Sequence, residues 1–361
     1  MRNITLQTII IIGMLGAGTL SAATQKKQAI DPKELIQKAK DAGLKPMPQG
    51  KELSAYQQAQ IKKHKLAAPY KPKLTQTQVE LGKKLYFDPR LSKSNLISCN
   101  TCHNLGLGGA DMVPTAIGHK WQANPSHLNS PSVYNSMFNS VQFWDGRAGD
   151  LGHQAQGPIE NPVEMAATAK EIVARIQSIP AYVDEFKAAY GNNVKIDFKL
   201  IADTIALFEM TLVTPSRYDD FLNGNVKALS KEEQAGLNMF IDKGCTACHT
   251  DINLGGSMQA FSVVKPYKFA KVGGFKGDAN GMVKAPSLRN VLDTAPYFHN
   301  GQYWDIKDAI KEMGSIQLGI AISDQEAQTI EKFFQSLNGK YPAVIYPILP
   351  ASTAATPKPA F

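Results

Sequence analysis

The sequence predicts a mainly α-helical chain made of two like units related by internal duplication, with long loops. Three observations predict it. One short pattern occurs twice, as Cys99-Asn100-Thr101-Cys102-His103 and Cys245-Thr246-Ala247-Cys248-His249, and the two copies use all four cysteines of the 361 residues. Each copy is followed by a second shared segment: Pro131-Ser132-Val133-Tyr134-Asn135 leads, twelve residues on, to Phe143-Trp144-Asp145-Gly146, as Pro286-Ser287-Leu288-Arg289-Asn290 leads to Phe298-His299-Asn300-Gly301. Elsewhere apolar residues recur at spacings of three and four, and no long alternating stretch marks a sheet. Two linked segments repeated in the same order are the mark of a duplicated unit.

Taken in chain order, residues 1–23 come first. They begin with Arg2, run through an apolar stretch from Thr8 to Leu20 and end in Ser21-Ala22-Ala23, the pattern of a cleaved secretory signal peptide. The stretch is short of the roughly 20 residues that span a bilayer, so it predicts export without stable membrane insertion. The mature chain would start near Thr24 and work, in a bacterium, in the periplasm. Helical patterns precede both Cys motifs, from Thr77 to Leu85 and from Ser230 to Phe240, where Ser230 and Glu233 form a capping box. Ile201, Ile205, Phe208 and Leu212 share one helical face, and Ile306, Ala309, Ile310 and Met313 another. Thr214-Pro215-Ser216 ends the first of these helices and divides the chain into units 24–213 and 214–340. The Pro- and Ala-rich end from Pro347 to Phe361 reads as an extended tail with no core role, and part of 341–361 is assigned to the first unit.

Composition sets the outer limits. With 43% hydrophobic and 19% charged residues, 28 Gly and 21 Pro, the chain is globular and neither disordered nor collagen-like. The net charge of +8 is spread over many lysines, which argues against a nucleic-acid footprint and leaves steering of an acidic partner.

An exported chain with an even number of cysteines is usually a disulfide framework. A His directly after each pair argues otherwise, since neither a disulfide pair nor half of a zinc ribbon requires it. C-x-x-C-H is the c-type haem attachment pattern, in which two thiols add to the haem vinyl groups and the His becomes the proximal ligand. Cys99, Cys102, Cys245 and Cys248 are therefore the attachment residues of two covalent haems c, with His103 and His249 on the irons. For the second haem's other axial position the candidates are Met258, Met282 and Met313. For the first, His119 follows across the flexible Gly106-Leu107-Gly108-Gly109 loop, with His127 and His153 as rivals. Between Gln154 and Met165, Glu164 or Glu160 could shuttle the proton that O–O cleavage requires, and Gln154 or Gln156 could orient the substrate.

With these residues placed, the chain resembles the bacterial di-haem cytochrome c peroxidases, which reduce hydrogen peroxide to water in the periplasm. The carrying segments are Cys99–His103, Gly118-His119-Lys120-Trp121-Gln122, Asn129-Ser130-Pro131, Phe143–Arg147, Gln154–Met165, Cys245–His249, Thr294–Gly301 and Glu312-Met313, in family order over residues 75 to 340. The resemblance implies two cytochrome-c-like haem domains. A low-potential peroxidatic haem would be ligated by His103 and His119, and a high-potential haem by His249 and Met313. The second would take electrons from a small soluble donor, a cytochrome c or a cupredoxin. By the same resemblance Glu164 is the acid–base, Gln154 the orienting amide and Trp144 the aromatic between the haems. Asn129 and the carbonyls of Thr294 and Pro296 would hold calcium, and the molecule would be a homodimer. Two other readings share this framework: a di-haem electron carrier, and a di-haem enzyme that oxidises a protein side chain and carries Tyr in place of the Met ligand. Glu164 with Gln154 speaks against the first, and Met313 in its Glu-Met-Gly context against the second.

Overall fold

Asp31 opens the first helix of the computed structural model, which describes residues 30–361; the predicted signal segment lies outside the described residues. Its carboxylate accepts the N–H groups of Lys33 and Glu34 and so caps α1 (Pro32–Asp41). There follow α2 (Gly50–His64), α3 (Gln76–Phe87), the single turn α4 (Cys99–Cys102), α5 (Leu151–Glu160), α6 (Ala169–Gln177), α7 (Pro180–Tyr190) and α8 (Phe198–Glu209). The second half holds α9 (Arg217–Leu222), α10 (Lys231–Asp242), α11 (Ile306–Met313) and α12 (Asp324–Ser336). Two short antiparallel strands, β1 (Met258–Ala260) and β2 (Met282–Lys284), pair with Met258 opposite Lys284. The capping box expected at α10 is formed, Ser230 N donating to Glu233 at 2.7 Å and Glu233 N to the Ser230 hydroxyl at 3.2 Å.

The duplication is visible in the backbone. In the first unit α3 crosses α8 so closely at Gly82 that a Cβ there would lie 2.2 Å from the Thr204 carbonyl. In the second, α10 crosses α12 at Gly236, where a Cβ would lie 2.3 Å from the Thr329 carbonyl. The shared loop segments also fold alike. Asn135 and Asn290 both take the left-handed conformation (φ 62° and 56°), as do Phe143 and Phe298 (φ 67° and 66°). The bridge Gln142–Ala148 has its counterpart in Tyr297–Tyr303. Such strained backbone at non-glycine residues persists only where its surroundings hold it, here twice over.

Each unit has its own core. Leu81, Leu85, Ile172, Ile176, Tyr182, Phe186, Ile201 and Ile205 fill the first, and Leu237, Phe240, Ile310, Ile330, Phe333 and Phe334 the second. Helix α8 is buried nearly all round, Asp203, Thr204 and Glu209 included, so the single apolar face predicted for it understates its burial.

One boundary assignment changes. The unit 24–213 does not hold together as drawn, because Leu35, Ile36 and Ala39 of α1 are buried in the second core. Periodicity identifies an apolar face but not the core that receives it. The C-terminal segment lies along the first unit. Tyr341 and Val344 pack on the first core, Arg90 donates to the Pro350 carbonyl at 2.8 Å, and Ala360 N donates to Lys93 O at 3.0 Å.

Candidate active site

Both Cys motifs line cavities. The first, of about 1200 Å³ and partly open to solvent, has Cys99, Cys102 and His103 on its wall. The second, of about 1170 Å³, has Cys245, Cys248 and His249. All four cysteines are free in the structure. Among the described residues no three His, Cys, Asp or Glu side chains gather as a metal site. Burial drives the thiols up, Cys102 to about 12 and Cys245 to about 11, so they are not thiolate nucleophiles at neutral pH.

The two histidines are held in the same way. His103 Nδ1 lies 2.9 Å from the Pro131 carbonyl, and His249 Nδ1 lies 2.8 Å from that of Leu254. A carbonyl acceptor at Nδ1 fixes the tautomer and leaves Nε2 free as an acceptor, the arrangement of a proximal ligand. Burial disfavours the imidazolium at both. Paired free thiols, an oriented imidazole and a largely apolar cavity beside each motif are what a covalent haem requires.

Geometry separates the candidate residues. Of the three methionines, Met313 lines the second cavity, beside Ile306, Ala309 and Ile310 of α11, and Met258 and Met282 do not. After Met313 the helix widens into the π-helical turn Gly314–Leu318, and Gln317 from it reaches the same wall. In the first cavity Glu164 and Gln154 share the wall, whereas Glu160 is exposed beside the N–H of Ala169 and Gln156 bonds back to Gly152. Trp144 is buried, lines both cavities and donates from Nε1 to Asn129 O at 2.9 Å.

His119 is not on the cavity wall. Its N–H donates to the Glu164 carbonyl at 2.7 Å and its Nδ1 is sealed without a partner. Gly118 allows this close approach, since a Cβ there would lie 2.1 Å from the Val163 carbonyl. Lys120 and Trp121 beside it hold φ near 60° and 56°, and the Trp121 ring stands exposed. His153 is exposed on α5, and His127 lies against Gly273 away from the cavity. Asn129 donates its N–H to His299 O at 2.8 Å and its Nδ2 to Val113 O at 2.9 Å, which brings it to the segment carrying Thr294 and Pro296.

The electrostatics of the first cavity favour proton transfer. Burial raises the Glu164 carboxyl, while the Arg147 guanidinium and a hydrogen bond with Asn161 pull it down. Asn124 Nδ2 sits 3.5 Å from Glu164 Oε1. Arg147 itself stacks over Phe143, 3.5 Å from the ring centre.

A residue that sequence reasoning missed is Glu209, at the end of α8. It lines the first cavity, its Oε2 is sealed without a partner, and burial pushes it up to about 8. The signal was an acid closing the apolar run Ile205-Ala206-Leu207-Phe208. An exposed glutamate ionises near pH 4.3, so between about pH 4 and 8 the unfolded chain sheds a proton that the folded chain keeps. Stability therefore falls as pH rises through that window, by up to about 1.4 kcal/mol per unit. Glu209→Gln is expected to flatten this slope in urea melts taken at about pH 5 and 8. Parallel slopes in the two proteins would remove Glu209 as its source.

Comparison with known proteins decides the family. A di-haem cytochrome c peroxidase family model matches residues 76–227. The cytochrome c551 peroxidase of Pseudomonas aeruginosa is 50% identical over 299 residues, covering 80% of this chain and 86% of that one. The chain belongs to the di-haem cytochrome c peroxidase family. The cytochrome c551 peroxidase of Nitrosomonas europaea is 45% identical over 287 residues, covering 77% and 85%. In fold, the crystal structure of a MauG-like protein associated with microbial copper homeostasis matches with a TM-score of 0.64 at 24% identity, covering 74% of this chain and 90% of that one. As a di-haem cytochrome c peroxidase the chain is an oxidoreductase, and its two cysteine pairs are consistent with two c-type haems.

Proposed function

We propose that this peroxidase works in the periplasm, reducing hydrogen peroxide to water at the first cavity with electrons that a small soluble cytochrome c or cupredoxin delivers at the second. The observation that carries the reading is Glu164 and Gln154 on one wall of the His103 cavity. When bound, the haems supply a redox-active iron at each cavity. Every other part falls to side chains. His103 and His249 would be the proximal ligands, each oriented by its carbonyl, and the Met313 thioether would complete the second site and favour a high potential. His119 would be the releasable ligand of the first site. It lies off the cavity wall, so serving as that ligand would require its loop to move.

Glu164 then takes the proton from one peroxide oxygen and returns it to the other as the O–O bond breaks, and Gln154 holds the substrate in line. With two electrons from the donor protein and two further protons from solvent, both oxygens leave as water. Asn129 with the carbonyls of Thr294 and Pro296 would hold calcium between the units. Among the described residues neither carbonyl accepts a hydrogen bond, and all three donors offer the hard oxygen that ion prefers. Bridging the two units there would couple them.

Optical and EPR spectra of the oxidised protein, then of the half-reduced protein with calcium, then after addition of peroxide, test the reading. One low-spin haem is expected to turn high-spin on half-reduction, with peroxide then consumed as the donor is oxidised. Two haems that stay six-coordinate and ignore peroxide would make the protein an electron carrier.

A further inference from the structure

Lys284 ends β2 at the boundary between the two cavities. Its N–H donates to the Trp144 carbonyl at 2.8 Å, and these two residues line both cavities. Lys284 is only 4% exposed. A buried ammonium is normally found with a carboxylate, because removing the charge from water without a counter-charge is costly. Here the protein supplies none: among the described residues no carboxylate lies within ion-pair distance of Lys284. The acid whose charge acts on it, Asp145, is engaged by Arg147 at 2.8 and 3.0 Å. Glu164 and Glu209, the other acids on the first cavity, form no ion pair with it. Burial pulls the Lys284 ammonium down to about 8.

The partner is to be sought in what the cavities hold. The inference rests on the di-haem reading above. A haem brings two propionate carboxylates, and these are the anions a buried lysine on a haem cavity can meet. We propose that the Lys284 ammonium is the counter-charge of a propionate of the first haem, at the wall the two cavities share. Its field is felt at His103, which lines that cavity. Lys284 is thus a positioning residue: it fixes the haem edge against Trp144 and holds a positive charge where the electron arrives. A cation held there favours the reduced form.

The test is spectroelectrochemical titration of both haems in the wild type, Lys284→Met and Lys284→Arg, with haem content measured as the pyridine haemochrome. In Lys284→Met the reduction equilibrium of the first haem is expected to fall about tenfold, some 59 mV for one electron. The propionate bending band in the resonance Raman spectrum is expected to shift, and Lys284→Arg to restore both. An unchanged first-haem potential with both haems bound overturns the proposal, as does an equal fall in the Met and Arg variants, the mark of a merely structural role. A shift confined to the second haem overturns it too. If Lys284→Met does not load haem, Lys284→Gln and Lys284→Arg carry the same comparison. A wild type lacking two covalent haems would instead overturn the di-haem reading itself.

Discussion

Glu164→Gln is expected to lower peroxide turnover by about 10²-fold or more, with haem content and the oxidised spectrum unchanged. The amide keeps the shape of the side chain and its place near Asn124 Nδ2, but it cannot carry a proton from one oxygen to the other. The pH profile gives a second readout. As the base, Glu164 must be ionised when peroxide arrives, so kcat/KM falls as pH drops through its pKa. That acidic limb lies above the range of an exposed glutamate because burial raises the carboxyl, and below where burial alone would put it because Arg147 opposes. In the Gln variant the limb should vanish. In Arg147→Leu it should move to higher pH. Steady-state kinetics with a reduced c-type cytochrome as donor measures both. Turnover retained in Glu164→Gln would remove Glu164 as the shuttle, leaving its buried carboxyl without a catalytic role.

The sequence carries the covalent chemistry more plainly than the choice among neighbours. A C-x-x-C-H pattern is local, so the cysteines and proximal histidines are legible without a fold, and the carbonyls at Nδ1 only complete what the pattern implies. Glu160 and Glu164 lie four residues apart, as Gln154 and Gln156 lie two apart. Spacing cannot say which of them faces the cavity, because that depends on where α5 ends and on the turn from Asn161 to Glu164. Met313 needed the packing of α11 to stand apart from Met258 and Met282. Glu209 and Lys284 went unread for a different reason. Each sits among apolar residues that look like ordinary core, and only a cavity beside them gives their charge a purpose. The docking of α1 in the second core depends on contacts far along the chain, which no local pattern records.

Arg289→Met is expected to cost about 3–5 kcal/mol of stability, because it strands the buried carboxylate of Asp219. Both side chains are fully buried, with 0% exposure. Arg289 grips Asp219 with both ends of its fork, at 2.7 and 3.0 Å, and its Nε donates to the Ile252 carbonyl at 2.6 Å. Asp219 in turn accepts the N–H of Met47 at 2.7 Å and that of Ser216 at 2.8 Å. One carboxylate thus ties α9, the linker between the units, the segment after α1 and the loop behind the second Cys motif. The duplicated position in the first unit is Tyr134, whose hydroxyl donates to Leu105 O at 2.9 Å, so the two copies solve the same anchoring problem with a neutral and a charged group. A charged anchor has a characteristic signature. Removing one partner leaves an ion in the core, whereas removing both leaves only a cavity and some unpaired amides. Asp219→Leu combined with Arg289→Met should therefore cost less than Arg289→Met alone, a departure from the additivity of independent sites. Urea melts of the two single variants and the double variant measure it. Simple addition of the single costs would mean that the pair does not act as a unit, and that the ties to Met47 and Ser216 carry the anchoring instead.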